Sequence, residues 1–340
     1  MAVTLKDISR ETGINLCSVS QVLNDHPRAQ TLRKETRERI LETASRLGYS
    51  KNQMAAAIGK KHSNVLAFVH SDMGMVEYTG RIQNGVNEAA SKRGYTLTVH
   101  PIGESPEKLF RDLIGWRVAG VIFHVAELSQ ISGIAAMLER EKIPYGTVNL
   151  SNPGGIGVTT DDAAGIEEAV RILHENNHKR PLYVAIAAKK ESEFKEKRRE
   201  GFERGLKKYY PDCRKGLTLD ISPEKMFDRK YMTEFFKKLQ RMKIDSVICE
   251  SDIPAVSLNN VIAAEGSSVP EVFSLIGFGG SILSETSFPK ITTIVQDFEE
   301  MGKRTADAII AQIGKKNGIK PDNQLIPVSI AIRDSLKKQK

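Results

Sequence analysis

Cysteine is scarce in this chain. Cys17, Cys213 and Cys249 are the three in 340 residues, and they lie far apart. An odd, dispersed set argues against a disulfide framework and against a paired zinc site, and it fits a reducing compartment. No run of eighteen apolar residues occurs, and the N-terminus has no basic-then-apolar export pattern. A soluble, cytoplasmic protein without a membrane partner is therefore expected. Enzyme signatures are missing as well. Gly277-Phe278-Gly279-Gly280 comes late in the chain, without the first-strand position and helix opening of a dinucleotide fingerprint. There is no phosphate-cradling loop ending in Lys-Ser or Lys-Thr, and no His-Glu-x-x-His. The expectation is a non-enzyme with no cofactor, although an α/β body can host catalysis.

What the chain does have is a dense set of helix signals at its front. Thr4 can cap a helix with Asp7 three residues on, and Leu5 and Ile8 then share a face. Gly13 supplies a turn that tolerates positive φ, and Asn15 can cap a second helix through Leu23. On that helix Val19, Val22 and Leu23 point inward, which leaves Leu16, Cys17, Ser18, Ser20 and Gln21 outside. Two short helices joined this way form the module that presents its second helix to base edges in the major groove. A bare helical hairpin packing on its own neighbours is the other reading. Charge favours DNA, because the first 61 residues hold 11 Lys or Arg against 6 Asp or Glu, in a chain of net charge +8.

The order Val3-Thr4-Leu5-Lys6-Asp7-Ile8, Gly13-Ile14, Val19-Ser20-Gln21-Val22-Leu23-Asn24 resembles the DNA-binding head of the lactose-repressor and galactose-repressor family of transcription regulators. The resemblance implies that Leu16, Cys17 and Gln21 read bases and that Ser18 and Ser20 touch phosphate, with further DNA contacts at Thr4 and Asn24. Most relatives carry arginine at the position of Gln21. Arginine suits guanine, whereas glutamine suits adenine.

After the loop 25–33, where Pro27 stops the second helix from continuing, a third helix is expected from Lys34 to Leu47. Ile40, Leu41, Ala44 and Leu47 would close the small core, and Gly48 would end the helix. A helix-turn-helix domain is thus expected over 1–49. The segment 50–61 is too short to hold a helix alone. By resemblance it is a hinge helix that orders on DNA, in which Asn52 and Ala55 make contacts and Ile58 wedges into the minor groove. An ordinary linker is the alternative.

From Asn64 onward strands and helices alternate at short spacing, which implies parallel sheets with helices on both faces. The series starts again at Leu182, so two Rossmann-like α/β lobes are expected within 62–340. Lobe one would span about 62–160 and 293–324, and lobe two about 161–292 and 325–340. Later landmarks recur in family order: Asp161-Asp162 with Gly165, Asn177-His178-Lys179-Arg180, Arg198 with Gly201-Phe202, Ile276-Gly277-Phe278 and Thr292-Thr293-Ile294. The resemblance therefore covers the whole chain. It implies lobes paired as in periplasmic sugar-binding proteins, with a ligand between them.

Carried over residue by residue, the resemblance puts effector contacts at Asn149, Arg198, Ser251 and Gly279. Arg198 could instead be a surface arginine in the basic run 195–199. Gly279 stands where many sugar-binding relatives have an aspartate, so a simple hexose in the ordinary pose is disfavoured. His70, His100 and His124 each follow a strand-like run and could line the cleft, His70 as an effector contact, or bind a metal; strand-end histidines are otherwise ordinary polar residues leaving the core. The function expected is a homodimeric regulator, acting as a repressor on an approximately palindromic operator in double-stranded DNA. A small-molecule effector, a sugar or sugar derivative, would control it. A DNA binder whose cleft has lost ligand control, or an anion-responsive regulator, is the alternative.

Overall fold

The computed structural model describes residues 3–24, 26–49, 63–71, 77–103, 105–188, 192–211, 217–315 and 320–337. The chain divides into two compact units, residues 1–64 and 65–340. Asn52, Ala55 and Ile58 lie outside the described residues, so the hinge expectation stands on sequence alone.

The first unit contains helices α1 (Leu5–Thr12), α2 (Leu16–Leu23) and α3 (Lys34–Arg46). Local chemistry sets each boundary. Thr4 and Asp7 form a reciprocal capping box at the start of α1, and Gly13 ends it at φ +69°. Asn15 caps α2 by accepting from the Ser18 amide at 2.8 Å. Pro27 opens a short 3-10 turn, Pro27–Thr31. Ile8, Val19, Val22, Ala29, Ile40 and Ala44 then meet as a core. Leu41 is not part of it: the side chain is 51% exposed. Ile40, Ala44 and Leu47 share one helical stripe, and Leu41 lies about 100° around the helix from Ile40.

The second unit runs β1 (Val65–His70), α4 (Glu77–Lys92), β2 (Thr96–Pro101), α5 (Pro106–Gly115), β3 (Gly120–His124), α6 (Ser132–Arg140), β4 (Tyr145–Val148) and β5 (Ile156–Thr160). It continues with α7 (Asp162–Glu175), β6 (Pro181–Ile186), α8 (Glu193–Tyr209), β7 (Leu217–Ile221), α9 (Arg229–Arg241), β8 (Ser246–Cys249), α10 (Asp252–Ala264) and β9 (Ser274–Gly279). Then come α11 (Ile282–Thr286), β10 (Thr292–Val295), α12 (Phe298–Ile310), β11 (Asp322–Ile326) and β12 (Ser329–Ala331).

Two six-stranded sheets result, ordered β11-β5-β4-β3-β1-β2 and β12-β10-β9-β8-β6-β7. The first is parallel throughout, and in the second only β12 is antiparallel. Both faces of the first sheet are buried: Leu66 and Phe68 look toward α4 and α12, Ala67 and Val69 toward α5 and α6. That double burial is why the central strands β1 and β3 read as continuous apolar runs rather than alternating ones.

The chain crosses between lobes after β5, after β10 and after β11. The expected limits shift accordingly. Thr293–Val295, assigned to lobe one from sequence, lies in the second sheet, and Leu325 and Ile326, assigned to lobe two, lie in the first. The helix α12 returns to lobe one and packs against α4 at very short range. A Cβ on Gly85 would sit 1.9 Å from the Glu299 carbonyl oxygen, and one on Gly302 would sit 2.1 Å from that of Ile82.

Candidate DNA-reading face and effector cleft

On the first unit, Val19 and Val22 anchor α2 to the core and turn the opposite side outward. Leu16 is 42% exposed, Cys17 is exposed, and Ser18, Ser20 and Gln21 are half-buried. Thr4 is engaged at the α1 cap, its hydroxyl donating to Asp7 at 2.7 Å. Asn24 closes α2, its side-chain amide donating to the Ser20 carbonyl at 2.9 Å. Those two residues therefore have structural work beside any contact with DNA. Leu16, Cys17 and Ser18 form the first turn of α2, where a recognition helix meets base edges, and Ser20 and Gln21 follow in the next turn.

In the second unit each sheet reverses its strand order between neighbours, at β1/β3 and at β6/β8. Ligands in such sheets bind beyond the C-terminal strand ends at these points. A cavity of about 340 Å³ lies there, lined from lobe one by Glu77, Tyr78, Arg81 and Phe298 and from lobe two by Phe194, Arg198, Ser251, Asp252, Phe278 and Gly279. Asn149 and Gln296 also line it. Four of the five expected effector residues thus come together. Hydrogen bonds span the lobes around the cavity. The Ile282 amide donates to Glu77 Oε2 at 2.8 Å, Arg81 Nη1 to the Gly280 carbonyl at 3.3 Å, and the Ser151 amide to Glu193 Oε2 at 3.0 Å.

Arg198 is not a surface residue, being only 6% exposed. Its Nε donates to Asp162 Oδ2 at 2.7 Å, Nη1 to the Glu250 carbonyl at 2.7 Å, and Nη2 to Gln296 Oε1 at 3.3 Å. The guanidinium lies 3.7 Å over the Phe278 ring. Asp162 follows the first crossover and Gln296 precedes α12 at the second, and Gln296 Nε2 also donates to Thr160 Oγ1 at 2.7 Å. A ligand touching Arg198 would therefore touch the segments that join the lobes.

Gly279 has φ +122°, a backbone conformation that side chains resist. A Cβ there would lie 3.7 Å from Asp252 Oδ2, so a carboxylate occupies this corner although position 279 supplies none. Asp252 is buried, and desolvation raises its pKa. Both its oxygens are engaged, Oδ2 by the Ser281 amide at 2.6 Å and Oδ1 by the Thr293 hydroxyl at 2.6 Å.

His70 is absent from the cavity lining. It is buried and stacks on Phe68 with ring centroids 5.8 Å apart. His124 is its cross-strand partner, and its ring lies edge-on to Tyr78 at 5.6 Å. Burial, helped by the neighbouring His70, holds the His124 pKa down at about 4. His100 pairs in register with Val69 rather than His70, so its side chain leaves the opposite face of the sheet. The three imidazoles do not converge, and among the described residues no group of three potential metal ligands occurs.

Sequence reasoning missed Asp252, Gln296 and the aromatic walls Tyr78, Phe194, Phe278 and Phe298. Apart from the strand-end position of Phe278, nothing local in the sequence marks them.

Comparison with known proteins agrees with this architecture. A family model described as a periplasmic binding protein-like domain matches residues 170–336. Catabolite control protein A of Staphylococcus epidermidis is 25% identical over 89% of this chain and 90% of its own length. The HTH-type transcriptional regulator DegA of Bacillus subtilis is 25% identical over 98% of both chains. Among solved structures, the lac repressor dimer bound to operator and the anti-inducer ONPF superposes with a TM-score of 0.81 at 20% identity, covering 98% of this chain and 99% of that one. The transcriptional regulator CelR in complex with cellobiose gives 0.66 at 22% identity, over 98% and 99%. With its three-helix head, two parallel-sheet lobes and a lined cleft between them, the chain resembles the transcription regulators of the lactose-repressor/galactose-repressor family along its whole length.

Proposed function

We propose that the chain is a cytoplasmic, sequence-specific DNA-binding transcription regulator, acting as a repressor whose operator affinity is set by a small molecule held between the lobes. The observation that carries this reading is the capped recognition helix with its outward face unburied, on the same chain as a lined cleft at two strand-order reversals. CelR binds cellobiose and the lac repressor binds ONPF in their solved structures, which supports a sugar or sugar-derived effector. The engaged state of Arg198, Asp252 and Gln296 favours binding over catalysis, since Arg198 is held by Asp162 and Gln296 and Asp252 by Ser281 and Thr293, rather than standing poised as nucleophile and base. Binding-site selection with the full chain tests the reading. The expected product is an approximately palindromic motif, and Gln21→Ala should relax one base pair in each half by about 1–3 kcal/mol. A chain that enriches no motif would refute it.

A homodimer matches two half-sites. In lobe two, Phe227 is 75% exposed and Leu283 47%, beside a groove lined by Met232, Ile253, Val256 and Val261. An apolar surface of this kind fits a second copy of the chain. Leu283→Asp should shift the protein to monomer in sedimentation velocity and weaken operator binding. A dimer unchanged in affinity would move the interface elsewhere.

A further inference from the structure

Cys17 and Gln21 sit four residues apart on α2, so their side chains are neighbours on one face. Gln21 Nε2 donates to Cys17 Sγ at 3.5 Å. Side chains on a helix lean toward its N-terminus, and this bond draws the Gln21 amide further that way, toward the end that meets base edges. A primary amide has two N–H donors and one carbonyl. With one N–H held by sulfur, the other N–H and the carbonyl remain side by side, and rotation of the amide plane is restrained. One donor beside one acceptor complements the N7 acceptor and N6 amino donor of adenine. Guanine shows two acceptors on that edge and would set O6 against the Gln21 carbonyl.

We propose that Cys17 is a specificity-determining residue that acts through Gln21, its thiol holding the amide in the orientation that selects adenine. Without the sulfur the amide turns freely, can present its carbonyl and N–H in the reverse order, and discriminates less. The inference rests on the DNA-binding reading above.

The test is binding-site selection with the full chain and four variants at one fixed salt concentration. Gln21→Ala identifies the base pair that Gln21 reads. Cys17→Ala should lower the preference for adenine at that pair by about threefold to tenfold, the worth of one net hydrogen bond, separately from any change at a pair that Cys17 itself touches. Cys17→Ser retains an acceptor one turn from Gln21 and should stay within about twofold of the parent. In the double variant, Cys17→Ala should cost nothing further at that pair, since coupled residues do not add. The inference is overturned if Cys17→Ala leaves the preference intact, lowers all positions evenly, or is matched by Cys17→Ser. It is overturned equally if the two substitutions add in full. A parent chain that selects no sequence sinks the DNA-binding reading as well, which separates the two failures.

Discussion

Arg198 shows how one residue can serve both a pocket and its frame. Its ion pair with Asp162 is buried at both ends, so removing either partner strands a charge. Arg198→Ala should lower unfolding stability by about 3–5 kcal/mol, read from the midpoint of urea denaturation at constant slope. Pairing it with Asp162→Leu should recover most of the loss, and a loss that stays additive would show that the two do not act as a pair. His124 makes a pH prediction. The folded chain holds it neutral down to about pH 4, whereas the unfolded chain takes up the proton near its ordinary value. The native state therefore binds fewer protons between those limits, and stability falls as pH drops from about 6.5 toward 4, at up to about 1.4 kcal/mol per pH unit. His124→Phe keeps the stack on Phe68 and should flatten that part of the profile; identical profiles for variant and parent would assign the acid sensitivity to other groups. Residue identities were legible from sequence where the signal is local, as with the caps at Thr4 and Asn15. Arg198 was ambiguous because it sits in the basic run 195–199, and the contact with Asp162, 36 residues back, sets it apart from its less buried neighbours.

Elements were read well because their signals are periodic and punctuated, but membership of a sheet is not a local property. Thr292–Val295 pairs with β9 and with β12, strands before and after it in sequence, so no pattern inside the strand could say which lobe it joins. Leu41 makes the same point in a helix, where an apolar residue beside the stripe looks like core until the neighbouring helices are placed. The contact of α4 with α12 depends on two glycines that carry no obvious sequence cue. A methyl group at Gly85 or Gly302 would meet backbone that cannot rotate aside. Gly85→Ala should thus force the helices apart and destabilise the protein by about 1–3 kcal/mol, despite the better helix propensity of alanine. A rise in thermal midpoint for Gly85→Ala would show that the helices can separate at no cost. Gly80 on the same helix has open space around its Cβ, so Gly80→Ala serves as the control and should be neutral or stabilising.

For the second unit as a whole, the property of interest is the angle between the lobes, because a ligand can shift that angle only through contacts that differ between open and closed forms. Three contacts join the lobes at the rim of the cleft: Glu77 with the Ile282 amide, Arg81 with the Gly280 carbonyl, and Glu193 with Ser151. They lie on both sides of the Arg198 network, which ties the first and second crossovers together. These contacts favour the lobe arrangement seen, and an effector would act by adding to them or breaking them. At about 1 kcal/mol for each bond, losing the Glu77 bond and the two that Glu193 accepts from the Ser151 amide and hydroxyl should raise the open population by roughly a hundredfold. Glu77→Ala with Glu193→Ala removes them while leaving Arg198, Asp162 and the cavity floor in place. Small-angle scattering of the double variant should give a larger radius of gyration than the parent, and protease cleavage near the crossovers should become faster. Thermal stability should change little, because these bonds join lobes whose cores are separate. If size and cleavage match the parent, the Glu77 and Glu193 bonds do not set the lobe angle, which is then held by the three crossover segments with the Arg81 and Arg198 contacts that remain.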